Sequence, residues 1–336
     1  MVSSKQLLIC SDIHYASEAE KKRINYELAA INSPLQRILV RFYRHYFWLR
    51  DPFAHNELLD QVLKAPIEPD LAIANGDYSC DSAFIGVVDT AARQSASECL
   101  GKLRQRFGTK FRAVFGDHEL GKTSLCGGQG GLRFESFRVA QGELQLLPFW
   151  TERIGRYVLV GVTSSLVAMP VYERETLDEE REQWREASRQ HAHAIEALFA
   201  QIHPEDKILL FCHDPTALPF LRNLPALQMR LHQIERTIIG HLHSELILKQ
   251  SRLLSWLPTI TGCGTTTARI SSALSKAKEW RHFNLLLCPS LSGLELTKRG
   301  GFYTAEIDPD ARKPAQFNLH VVRRPKETQA TARPDR

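Results

Sequence analysis

The stretch "GDHELGKT", Gly116 to Thr123, fits the nucleotide-binding pattern G-x-x-x-x-G-K-[ST] letter for letter. It also opens with an acid and an imidazole directly after the apolar run "FRAVF" (111–115), where an α/β sheet places groups that handle a ligand. The two readings imply different folds and different chemistry. A nucleotide loop needs its Lys and Thr to open a helix, so that phosphate meets the helix N-terminus. Here Lys122 and Thr123 run into "SLCGGQGG", with four glycines between 127 and 131. Each glycine costs about 1 kcal/mol in a helix relative to alanine. Asp117 and Glu119 are also poor company for a triphosphate. Asp214, after "LLFCH", is the only candidate for the second carboxylate such a site requires. The nucleotide reading is therefore set aside, and Asp117-His118 is taken as a strand-end pair.

Other apolar runs end the same way. "QLLICSD" (6–12) leads into Asp12-Ile13-His14, and "DLAIANGD" (70–77) into Gly76-Asp77. "KILLFCHD" (207–214) reaches His213, and "RTIIGHLHS" (236–244) reaches Gly240-His241-Leu242-His243. Each run reads as a buried strand. "RYVLVGVTSS" (156–165) reads as a further strand. Helical stretches are expected over 20–65, 84–107 and 175–202, the last with Trp184, His191, Ile195 and Leu198 on one face. This alternation predicts an α/β fold. After about 250, "FNLLLCPSLSG", "GGFYTAEID" and "FNLHVV" look like strands of a more antiparallel sheet. No repeat or linker divides the chain. One domain is expected over 1–321, with a helical insert at about 20–60 and a disordered tail at 322–336.

Three carboxylates and several imidazoles at strand ends offer the oxygen and nitrogen donors that hold two divalent metals. Such a pair clamps a phosphoryl group and activates water for in-line attack. In this order, D-x-H, G-D, G-D-H, H and G-H-x-H resemble the boxes of the calcineurin-like metallophosphoesterases, across about residues 7–244. The resemblance implies a two-sheet β-sandwich flanked by helices. It implies that Asp12, His14 and His243 hold one metal and that Asp117, His213 and His241 hold the other. Asp77 would bridge them together with a water or hydroxide. His118 would sit beside the phosphate, to stabilise the transition state or protonate the leaving oxygen. The implied metals are manganese, iron or zinc.

One letter departs from the family pattern, which carries Asn where this chain has Asp117. Counting two divalent cations, a hydroxide and three aspartates gives a formal site charge of about zero, against about +1 with Asn. A less positive site is expected to favour phosphodiester or pyrophosphate substrates over dianionic monoesters. Within the family, cyclic nucleotides, other diesters and the lipid-linked pyrophosphate UDP-diacylglucosamine are all precedents. A metal-binding scaffold with little hydrolysis is a further reading that the altered letter allows.

Bulk properties narrow the partners. The chain has 336 residues and a formal charge of +5, compatible with an anionic substrate but too weak to argue for nucleic acid. Seven scattered cysteines without a C-x-x-C, and no signal-like or membrane-spanning run, predict a reduced cytoplasmic protein. Between 34 and 50 lies a basic amphipathic segment without an acidic residue. Leu35, Ile38, Leu39, Phe42, Tyr46 and Leu49 share one helical face there, and Arg37, Arg41 and Arg44 another. It reads either as a packed helix with an arginine-rich solvent face or as a substrate cap or peripheral membrane contact. Glu119 is a loop carboxylate or a ligand-orienting group. Asp81 and Asp214 are candidate partners of metal-bound histidines. The "GGQGGLR" loop with Arg133 is a candidate phosphate contact. His191 and His193 are expected as surface or face residues of a charged helix and not as ligands, and Cys10 and Cys212 in the packing.

Overall fold

A computed structural model describes residues 3–46, 51–124, 128–241, 277–292 and 299–323. Ten strands occur there: β1 Lys5–Cys10, β2 Leu71–Asn75, β3 Phe111–Val114, β4 Phe149–Ile154, β5 Tyr157–Val162, β6 Lys207–Cys212, β7 Ile234–Ile239, β8 Leu285–Leu287, β9 Arg299–Ile307 and β10 Gln316–Arg323. They form two five-stranded sheets, in the orders β10-β9-β1-β2-β3 and β4-β5-β6-β7-β8. β1, β2 and β3 are parallel, as are β5 to β8. The antiparallel members are β9 and β10 in the first sheet and β4 at the edge of the second.

The unbroken apolar runs are explained by burial on both faces. In β1, Leu7 and Ile9 point with Ile73 and Val114 of the same sheet towards the second sheet, into a layer with its Leu159, Leu209, Phe211 and Ile238. Leu8 and Cys10 face the other way, into the layer containing Leu100, Leu103 and Phe107 of the helix Thr90–Phe107. On the far side, Val158, Val160 and Leu210 face the helix Arg181–Gln201 through Trp184, Ile195 and Phe199. This is the expected two-sheet sandwich flanked by helices.

Several boundaries differ from the sequence reading. β4 was not expected: "FWTERI" has one buried residue, Trp150, because it lies at an edge. Its indole N–H donates to the Ala113 carbonyl of β3 at 2.9 Å, which ties the sheets together. β8 pairs parallel with β7, so only β9 and β10 carry the antiparallel character expected after 250. The helix expected from 84 starts at Thr90, because the Asp89 carboxylate accepts the N–H groups of Ala91 and Ala92. The stretch 20–65 breaks into Tyr26–Ala29, Pro34–Tyr46 and Asn56–Leu63, preceded by the turn Glu18–Lys21. β10 runs to Arg323, so Val322 and Arg323 are strand and not tail; 324–336 lie outside the described residues.

Candidate metal centre

The parallel strands of both sheets deliver their carboxyl ends to one place. β1, β2 and β3 bring Asp12, His14, Asp77, Asp117 and His118; β6 and β7 bring His213 and His241. Asp12, His14, Asp77 and His241 all take left-handed backbone, with φ of 52°, 48°, 61° and 60°. Non-glycine residues seldom adopt it, and it recurs where side chains are held for function. Two glycines clear the space. A Cβ on Gly116 would lie 2.1 Å from Asp77 Oδ1, and one on Gly76, at φ +92°, 2.5 Å from His213 Nδ1. Glycine is required at both positions because another candidate ligand, from the neighbouring strand at Gly116 and from the facing sheet at Gly76, occupies its side-chain volume.

Two groups of donors result, each with ligand atoms within 4.8 Å of one another: Asp77, Asp117, His213 and His241, and His14, Asp77 and His118. Asp77 is common to both. His213 Nε2 stands 3.2 Å from Asp77 Oδ2 and 3.5 Å from Asp117 Oδ1. His241 Nδ1 is 3.2 Å from Asp117 Oδ1. Asp12 lies alongside, its Oδ1 accepting the His241 N–H at 2.9 Å and its Oδ2 the Ser11 hydroxyl at 2.6 Å. His243 lies outside the described residues.

Backbone carbonyls set the tautomers. His213 Nδ1 is 2.6 Å from the Asn75 carbonyl, and His14 and His118 Nδ1 are 3.3 and 2.9 Å from the Ser79 carbonyl. A carbonyl only accepts, so each Nδ1 carries the proton and each Nε2 keeps its lone pair. The two carbonyls sit two residues either side of Asp77, so one turn aims three imidazoles.

That turn is itself clamped. Both oxygens of Glu119 accept backbone N–H groups: Gly116 at 2.8 Å, Asp77 at 3.1 Å and Tyr78 at 2.8 Å. Glu20, buried on the turn Glu18–Lys21, accepts from Ser82 N, Ser82 Oγ and Cys80 N. Glu119 is thus a backbone clamp, the loop role the sequence left open. Nothing in the sequence marked Glu20.

The electrostatics fit a cation pair. Burial opposes charge on Asp77, yet the His118 and His213 rings outweigh it and hold the carboxyl well below its usual range. Burial likewise opposes an imidazolium at His241, but Asp117 and Asp214 push its pKa up to about 9. His213 is also raised, with burial overcome by Asp77. The cluster therefore draws positive charge inward. His213 Nε2 faces two carboxylates and has no hydrogen-bond partner at good geometry; without a metal those carboxylates favour a proton there. A divalent metal of intermediate softness would take that proton's place on the same nitrogen.

The remaining candidates fall into place around this core. Asp214 Oδ2 bonds the Tyr172 hydroxyl and lies 3.9 Å from His241 Nε2; its Oδ1 accepts the Thr216 N–H. Asp81 does not reach a histidine: its Oδ1 accepts from Ile85 and Gly86 and closes the loop after Asp77. The glycine loop offers no free cradle at its described end, since Gly131 N–H donates to the Phe84 and Lys122 carbonyls. Arg133 turns back onto the Leu132 carbonyl. Thr123 bridges Gly130 across a short antiparallel pair, so Lys122 and Thr123 open no helix. His191 lies on the inward face of its helix beside Trp184 and Ile195: it is buried, its Nε2 accepting the Thr163 N–H at 3.2 Å, and burial lowers its pKa to about 4. Cys10 and Cys212 are buried in their strands as expected, and burial pushes the Cys10 thiol up to about 12.

Comparisons with known proteins agree with this geometry. No curated protein matches the chain in sequence. Among solved structures it is similar to a dimetal phosphatase from Danio rerio, at 12% identity over 90% of this chain and 92% of that one. The TM-score of 0.44 is too low to build on. A family model, described as calcineurin-like phosphoesterase, matches residues 5–245. The chain thus belongs to the calcineurin-like phosphoesterases and is a metal-dependent hydrolase of phosphate esters.

Proposed function

We propose that the enzyme cleaves a phosphodiester or pyrophosphate bond in preference to a monoester, with Asp77 shared between two cations. The observation that carries this reading is the pair of donor groups meeting at one carboxylate. Asp117, His213 and His241 would hold one ion, and Asp12, His14 and His243 the other, with manganese, iron or zinc suited to the mixed donors. Bound there, such ions polarise the phosphoryl oxygens and acidify water. The chain supplies the rest. The Asn75 and Ser79 carbonyls fix the imidazoles, and the Glu119 clamp fixes Asp77. His118 stands beside the reacting group with its Nε2 turned inward. Asp117 adds a negative charge that weakens the pull on a dianionic monoester.

One observation favours a lipid-linked pyrophosphate among these substrates. The helix Pro34–Tyr46 buries only Val40 among its residues, while Leu35, Ile38 and Leu39 are 66, 64 and 59% exposed. The helix is tied to the body by polar contacts, Arg44 pairing with Glu27 and Arg37 donating to the Ile31 carbonyl, while Arg37 and Arg41 stay exposed. An outward apolar stripe flanked by arginine supports peripheral contact with an anionic membrane. Five described cysteines are unpaired, which supports a reducing compartment such as the cytoplasm. No described helix is long and apolar enough to cross a membrane.

A screen of monoesters, diesters, cyclic nucleotides and nucleotide-lipid pyrophosphates with added Mn²⁺ tests the reading. Diester or pyrophosphate turnover above monoester turnover is expected. Asp117→Asn should raise the monoester-to-diester ratio, and an unchanged ratio would remove Asp117 from the explanation.

A further inference from the structure

Lys122, which completes the nucleotide pattern in the sequence, points into the metal centre. Its Nζ lies 2.5 Å from His118 Nε2, the nitrogen whose lone pair the Ser79 carbonyl leaves available. The side chain is held in place by its backbone. The Lys122 carbonyl accepts the Gly131 N–H at 3.1 Å, and the next residue, Thr123, bridges Gly130 and bonds Glu175 through its hydroxyl. Lys122 is half-buried, and among the described residues its Nζ has an imidazole as its polar partner and no carboxylate in ion-pair range. An ammonium removed from water in this way wants an anion. His118 Nε2 is 3.8 Å from Asp77 Oδ2, so the ammonium is separated from the shared carboxylate by a single nitrogen. It is placed for an anionic group beside the reacting phosphoryl.

We propose that Lys122 forms an anion subsite for a second phosphoryl group, carried by the leaving group, so that the preferred substrate is a pyrophosphate-linked ester. This rests on the reading of the centre as a two-cation phosphoesterase site and selects between the two substrate classes named there. Water adds to the attacked phosphorus and the P–O bond to the bridging oxygen breaks. The leaving phosphate departs with that oxygen, and the protons of water pass to solvent and product. The leaving phosphate gains a full negative charge as the bond breaks, and Lys122 meets that charge where it develops. The leaving group of a simple diester is also an oxyanion, but it carries no second phosphoryl group whose standing charge and non-bridging oxygens Lys122 could hold. Asp117 lowers the charge at the centre, and Lys122 restores a positive charge at the rim, where only a second anion benefits.

The test uses the Mn²⁺-loaded full chain and its Lys122→Gln and Lys122→Arg variants. Turnover is measured on a nucleoside diphosphate ester, ADP-ribose, and on bis(p-nitrophenyl) phosphate. Binding of a methylene-bridged ADP analogue is measured by calorimetry, and metal content checks that each variant is intact. The kcat/KM ratio of pyrophosphate to aryl diester is expected to fall about 10–100-fold in Lys122→Gln, the size of a lost charged hydrogen bond, and to recover largely in Lys122→Arg. Analogue affinity should fall by a similar factor. An unchanged ratio together with unchanged analogue affinity overturns the subsite. A wild type that binds the analogue through Lys122 but hydrolyses neither substrate upholds the subsite and sinks the diester-or-pyrophosphate reading beneath it.

Discussion

The turn after β2 and the helix Pro34–Tyr46 are near neighbours, linked through Tyr26, whose ring lies 5.5 Å from Phe84 on the turn side and whose next residue, Glu27, pairs with Arg44. They are built on opposite principles. In the turn, Asp77, Tyr78, Cys80 and Ser82 each give a backbone N–H to the buried carboxylates of Glu119 and Glu20. Outward, Asn75 and Ser79 give their carbonyls to the histidines. The helix buries one residue and shows its apolar side to solvent. The turn fixes chemistry, so its geometry is overdetermined. The helix is held by a few polar contacts, which leaves its apolar side available for recognition. The metal boxes therefore bear on how a bond is broken, while on the proposed reading the neighbouring surface would bear on which bond arrives.

The contrast yields expectations of decreasing size. Asp77→Ala should release both metals and cut activity by more than the roughly 100-fold that removing a ligand's outer partner costs; elemental analysis and an aryl-phosphate assay would show it. A variant that keeps two ions would show that Asp77 is not shared. Glu119→Gln retains one good acceptor for three N–H groups. It should weaken metal affinity about 10–100-fold and lower stability by about 1–3 kcal/mol, read by metal titration and urea melts. If it behaves like wild type, the turn is not held as described.

A third expectation concerns acid, away from the metals. His191 is buried neutral, with a folded pKa of about 4 against an ordinary value near 6.5. Below 6.5 the unfolded chain binds a proton that the folded chain refuses, so stability is full above that pH and declines as pH falls towards 4. Between pH 6.5 and 5.5 the loss from this one group is about 1 kcal/mol. His191→Gln keeps an acceptor for the Thr163 N–H and should flatten that part of the profile; an unaltered slope would place the acid sensitivity elsewhere. The smallest effect is expected on the helix. Leu35→Ser with Ile38→Ser should change stability by no more than about 0.5 kcal/mol while reducing co-sedimentation with anionic vesicles. A large loss of stability would mean that this face is packed after all, and the contrast with the turn would collapse.

How much of this could be read from residues alone follows the same divide. The candidate ligands stood out because strands buried on both faces leave an apolar run that ends in a charge or imidazole. Gly76 and Gly116 were visible as letters, though the reason for them, a side chain from the facing sheet or the neighbouring strand in the Cβ position, is tertiary. The orienting groups were hidden because they are carbonyls, which every residue carries. Glu20 was hidden because its partners lie some 60 residues on. Strand β4 escaped because an edge strand alternates weakly. For Pro34–Tyr46 the amphipathic pattern was plain, but which side would face the body is decided by Glu27 and the Ile31 carbonyl, not by hydrophobicity. Lys122 was masked by a motif it matches without serving.

That the donors come from both sheets has a consequence for how the protein matures. Asp77 and Asp117 stand on one sheet, His213 and His241 on the other, more than 120 positions apart between Asp117 and His241. The group His14, Asp77 and His118 comes from the first sheet alone, whereas Asp77, Asp117, His213 and His241 meet only when the second sheet closes on the first. A cation held by the second group would rivet the two layers together, because affinity for the folded form alone adds to its stability. Loading of that position would then be a late act of assembly, and stripping it should loosen the seam between the layers before it disturbs either one.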